Sequence, residues 1–230
     1  MNPNQVLCDA IIEELHQCAD SEVVNGMSRF GIQTSNALGV KVPVMRDLSK
    51  QYRKNHELAE LLWQTNIHEA RHVASMIDDP QLVTDEQMDR WVLDFNTWDI
   101  CDGVIFNLFG IIPLGWKKVN DWVCCEEEYV RRAAFTIIAK QAIYEKKTSD
   151  ENFLPYFKLI IQYSTDERNF VKKAVNWALR QLGKRSHFLR LKALKTCDIL
   201  LNTTSPSARW IASDARRELM NEKIINRIKH

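Results

Sequence analysis

The chain has 230 residues, of which 45% are hydrophobic and 27% charged, a balance that supports a buried core and excludes disordered, collagenous and low-complexity classes. Only 7 Gly and 6 Pro serve the whole length, too few turn residues for a sandwich or barrel of many short strands. The net charge of +1 conceals a division: residues 1–115 carry 8 Lys and Arg against 17 Asp and Glu, net −9, whereas residues 116–230 carry 23 against 13, net +10.

The first residues, MNPNQVLCDAIIEEL, hold no basic start followed by an apolar run, so no secretory leader is expected. Hydrophobic residues then recur at i, i+3/i+4 and i+7 through ELAELLWQTN, HEARHVASMID, DEQMDRWVLDF, EYVRRAAFTIIAKQAIYE, ENFLPYFKLIIQYS and RNFVKKAVNWALRQLG, and no stretch alternates with period two. Thr84, Ser149, and Ser205 followed by Pro206 mark helix starts. About twelve helices of some 10–18 residues are expected. The longest apolar stretch, Val104–Trp116, is broken by Asn107, Gly110, Pro113 and Gly115 and falls short of the roughly 20 residues a bilayer requires. A cytoplasmic protein is expected. Its six cysteines (Cys8, Cys18, Cys101, Cys124, Cys125, Cys197) form no C-x-x-C pair and read as reduced core thiols.

Val130-Arg131-Arg132-Ala133 recurs as Val171-Lys172-Lys173-Ala174, an offset of 41 residues. A period near 40 belongs to HEAT or armadillo helix pairs. The expected fold is therefore an all-α HEAT-like helical-repeat solenoid with a concave face suited to an elongated partner. No composition break marks a linker, so residues 1–230 are expected to form a single domain.

Two patterns bear on chemistry. His68-Glu69-Ala70-Arg71-His72 matches the zinc-protease signature H-E-x-x-H. The match lacks a third protein ligand downstream and a preceding strand, so no metal is expected. The second pattern is FNTWDICDGV. Trp98 and Asp102 stand four apart and share a helix face, with Asp99 turned about a quarter-circle away. Further along, Lys172, Lys173, Arg180, Lys184, Arg185, Arg190, Lys192 and Lys195 form a one-sign stretch with Trp177 inside it. Such a stretch points to a polyanion. Arg132 and Trp177 are candidates to complete a site with Trp98 and Asp102.

GVKVPVMRDLSK (39–50), LLWQTNIHEARHVA (61–74), WDICD (98–102), VRRAAF (130–135) and RNFVKKAVNWALRQLGK (168–184) together resemble the AlkD-type DNA alkylation-repair glycosylases, which are built from HEAT-like repeats. The resemblance implies that Asp102 is the catalytic aspartate and that Trp98 and Trp177 pack against the lesion's deoxyribose. It also implies that Arg132 completes the pocket and that Arg180 and Lys140 hold phosphates. Lys172, Lys173, Lys184 and Arg185 extend the expected DNA contact. The C-terminal 40 or so residues carry no matching motif.

The chemistry agrees with that implication. Glycosidic cleavage builds positive charge on the sugar and normally uses a carboxylate plus an acid for the leaving group. Here one carboxylate is evident and no acid. A purine alkylated at N3 or N7 is already cationic and leaves without protonation, so one anion suffices. The expected activity is excision of such purines from duplex DNA by a monomer with no cofactor, and the family's clamp-like reading of the backbone implies that the base is not inserted into a protein pocket. The alternative is a non-catalytic HEAT-like module that binds DNA structures or a protein partner.

Overall fold

The computed structural model describes residues 2–228. Among them it is 74% helical with no strands, as the hydrophobic periodicity requires, and it divides into two compact units, Met1–Gly115 and Trp116–His230. The first unit holds α1 (Pro3–Gln17), α2 (Ser21–Met27), α3 (Val42–Ser49), α4 (His56–Gln64), α5 (His68–Ile77), α6 (Asp85–Leu93) and α7 (Trp98–Asn107), with α8 (Pro113–Cys124) starting at its border. The second continues through α9 (Glu128–Tyr144), α10 (Leu154–Tyr163), α11 (Asn169–Arg185), α12 (His187–Leu201), α13 (Pro206–Leu219) and α14 (Glu222–Ile225). Several helices of the first unit are shorter than expected, with 7 residues in α2 and 9 in α4.

Local signals explain most boundaries. Thr84 accepts a hydrogen bond from the Gln87 amide at 3.1 Å and Ser205 from the Ala208 amide at 3.2 Å, each satisfying an amide that a helix start leaves unpaired. Ser149 behaves differently. It precedes a 3-10 turn, Asp150–Phe153, and α10 begins only at Leu154. Pro155 sets that start, because a proline lacking N–H fits in the first helical turn and nowhere deeper.

In the first unit α5 is the central helix, packing against α3, α4 and α7. Trp63 of α4 and Trp91 of α6 stack with ring centroids 4.0 Å apart and planes within 4°. Arg71 of α5 lies 4.9 Å over Trp63 and pairs with Asp94 at 3.3 Å. Burial lowers the Arg71 pKa, and the Asp94 charge works against that fall. In the second unit α9 and α11, each 17 residues long, pack side by side. These are the two helices that carry the repeated sequence, and Val130, Ala133, Val171 and Ala174 of the repeat are all buried. The repeat is therefore structural: equivalent apolar positions of consecutive helix pairs face one core.

The six cysteines are free. Cys8, Cys101 and Cys197 are core residues as expected, but Cys18 and Cys124 are exposed and Cys125 half-buried, because they occupy helix ends. No described helix is long and apolar enough to cross a membrane.

Candidate active site

Trp98 is the first residue of α7, and Asp102 follows one turn later on the same helix, both half-buried. The apolar face formed by Ile100, Cys101, Val104 and Ile105 is buried and leaves the Trp98–Asp102 face to one side. The Trp98 indole N–H donates to the Phe30 carbonyl at 3.0 Å, which fixes the ring plane.

Asp99 anchors the helix from its other side. His68 Nε2 lies 2.8 Å and His72 Nε2 3.4 Å from Asp99 Oδ2. Burial by itself raises the Asp99 pKa, but the hydrogen bonds and charges of the two histidines outweigh it and hold the carboxyl well below the usual carboxylate range. Gly103 makes the approach of α5 and α7 possible: a Cβ there would meet His72 Nδ1 at 2.8 Å. The glutamate of the H-E-x-x-H pattern turns away from this cluster. Glu69 is buried and accepts the Leu38 and Gly39 amides at 2.8 and 2.7 Å, so it is a loop anchor and not a base for metal-activated water.

The second unit holds the remaining candidates. Arg132 of α9 is buried, and its Nη1 donates to the Phe170 carbonyl at 2.9 Å. Lys140, also on α9, is buried with its ammonium 5.0 Å over the Tyr144 ring. Burial lowers the Lys140 pKa, and the Glu145 charge opposes the fall. On α11 Trp177 is half-buried. With the Gln181 amide oxygen turned toward its donors, it accepts from Trp177 Nε1 at 3.0 Å and Lys184 Nζ at 3.1 Å.

The basic stretch meets acids brought in from elsewhere. Arg180 pairs with Glu218 and, at 3.6 Å, with Asp214, while Lys184 pairs with Glu218 at 2.8 Å. Burial raises the Glu218 pKa, and these two cations pull it below its ordinary value. Arg185 is 7% exposed, pairs with Asp150 at 2.9 Å, donates to the Thr148 carbonyl at 2.6 Å and lies over Phe153 at 4.3 Å. Its fork is occupied by the turn before α10. Lys173 is exposed, and Lys172, half-buried, lies 5.2 Å from the Trp210 ring. The acids that quench the stretch were invisible in it, since they lie some 30–40 residues away in sequence.

With the helices and the Trp98–Asp102 pair in place, comparison with known proteins gives a direct result. The family model described as DNA alkylation repair enzyme matches residues 11–219. The chain belongs to the DNA alkylation repair enzyme family. Every candidate residue, from Trp98 to Arg185, falls inside the matched stretch. A solved structure described as "a new family of proteins related to the HEAT-like repeat DNA glycosylases with affinity for branched DNA structures" is similar with a TM-score of 0.75 and 18% identity. The likeness covers 91% of this chain and 94% of that one. It establishes the HEAT-like repeat fold of this family member. No curated protein sequence matches the chain.

Proposed function

We propose that this member of the DNA alkylation repair enzyme family is a DNA glycosylase that hydrolyses the N-glycosidic bond of N3- and N7-alkylated purines in duplex DNA. The observation that carries the reading is α7, with an indole and a carboxylate one turn apart and the helix start tied down by Asp99 and Phe30. Preorganised charge is worth most where it does not have to reorient during reaction.

In this mechanism the C1′–N bond breaks and its electron pair neutralises the cationic base, which departs without needing a proton. Asp102 steadies the positive charge that develops on the deoxyribose. Water adds to C1′ and gives up its proton, leaving an abasic site. Trp98 packs its ring face against the sugar and adds cation–π attraction to the same charge. Trp177 and Arg132, from the second unit, act on the damaged strand, and Lys172 and Lys173 contact phosphates. Arg180 and Lys184, which share Glu218, contribute less to binding than their number suggests.

The test is incubation of the protein with methylated duplex DNA, followed by alkali to cut at abasic sites. Release of 7-methylguanine or 3-methyladenine is expected, and Asp102→Asn should lower the single-turnover rate by about 100-fold or more with duplex affinity unchanged. Wild-type rates in Asp102→Asn overturn the assignment. A second reading, binding of branched DNA without catalysis, is favoured by the affinity described for the structural relative. Tight binding of a four-way junction with no abasic product would select it.

A further inference from the structure

The H-E-x-x-H pattern lacks, in sequence, a third ligand. The fold supplies one from another helix. His68, His72 and Asp99 bring two imidazole nitrogens and a carboxylate oxygen to within 4.8 Å of one another. Both histidines address the same oxygen, Asp99 Oδ2, whereas Asp99 Oδ1 is buried with no hydrogen-bond partner. Three potential ligand atoms thus lie together, while the second oxygen of the same carboxylate is buried without a partner. Simple hydrogen bonding of two histidines to one carboxylate is better served by one ring on each oxygen.

We propose that His68, His72 and Asp99 form a binding site for one divalent transition-metal ion, zinc foremost, that cross-links α5 to α7. Donor chemistry sets the class: two imidazoles with one carboxylate suit zinc, whereas calcium and magnesium require oxygen ligands and monovalent copper requires sulfur. Geometry agrees. In a tetrahedral site with bonds near 2.0–2.1 Å the ligand atoms stand about 3.3 Å apart, and the two measured separations here are 2.8 and 3.4 Å. The third separation, between the two imidazole nitrogens, is within 4.8 Å, so the ion enters as the side chains adjust around it. The His68, His72 and Asp99 side chains are 7%, 9% and 19% exposed, so the site is sheltered yet reachable. A small recess lined by Ser35, Asn36, Asn66, Arg71 and Asn96 adjoins His68.

Two neighbours are already accounted for. Glu69 is held by the Leu38 and Gly39 amides, and the Arg71 charge is balanced by Asp94. The ion therefore has a structural role: no general base stands beside it to run peptide hydrolysis. The site does not depend on the glycosylase reading, and its test needs no DNA.

Zinc or cobalt(II) alone is titrated into the chelator-treated full chain. One equivalent should bind, with a rise in Tm and, for cobalt, visible d–d absorption without thiolate charge transfer. His72→Gln and Asp99→Asn should each weaken binding at least about tenfold. Gly103→Ala, which keeps all three donors and displaces the His72 ring, should weaken it too. Absence of saturable binding in the wild type overturns the proposal even if a variant fails to fold. So does a thiolate-to-cobalt band, which would place the ion on the exposed cysteines, or unchanged affinity in the ligand variants.

Discussion

At the scale of single residues, a side chain's partners decide what it does, and those partners lie mostly outside its own stretch of sequence. Arg185 and Lys173 are both cations of α11, but Arg185 is saturated by Asp150 and the Thr148 carbonyl whereas Lys173 stands exposed. Lys173→Gln should reduce the slope of log K against log salt for duplex binding by about 0.9, one phosphate's worth. Arg185→Gln should leave that slope unchanged and lower the unfolding free energy by about 3 kcal/mol, since it strands Asp150 and a carbonyl. Fluorescence anisotropy across a salt series, with urea unfolding beside it, separates the two. The sequence identified Trp98 and Asp102 as sharing a face because helical spacing is local information. It could not reveal that Glu218 and Asp214 would answer Arg180 and Lys184, or that Asp99 would meet His68 and His72, because those meetings depend on how helices pack.

Single elements show the same limit at their ends. The turn between α10 and α11 is organised by Asp166, whose carboxylate takes Arg131 of α9 at 2.6 Å and Arg168 at 2.6 Å. Burial raises the Asp166 pKa, and the two arginines more than reverse it. A carboxylate held below its unfolded value stabilises the fold above that value, about 3.9 for Asp, and loses the contribution as pH falls from there through the folded value. Wild-type Tm should accordingly drop steeply between about pH 4 and pH 2, and Asp166→Asn should flatten that fall while lowering Tm at neutral pH. Equal acid slopes in both proteins would show that other carboxylates govern the transition. Helix existence was legible from period and caps in the long segments, whereas α2 and α14, with 7 and 4 residues, are too short to show a period. The start of α10 was displaced by Pro155, and the α5–α7 contact was decided by Gly103, which carries no pattern of its own.

Across the whole molecule, the sequence repeat and the charge division were both legible, and each corresponds to something physical. The 41-residue repeat is the α9–α11 pair. The change from net −9 to net +10 falls at the boundary between the two compact units, Gly115 to Trp116. A net charge of +1 would ordinarily predict weak attraction to DNA, but local fields and not totals govern association with a polyanion. Duplex binding should therefore remain strongly salt-dependent despite near-neutrality; a flat salt response would mean that the basic unit does not face the DNA.

The Trp63–Trp91 stack has a spectroscopic consequence. Two indoles lying parallel at 4.0 Å couple their electronic transitions, which should give an exciton couplet in circular dichroism. Both rings belong to the first unit, so the couplet melts with that unit, and comparing its loss with the fading helical signal of the full chain tells whether the two halves unfold as one or in turn.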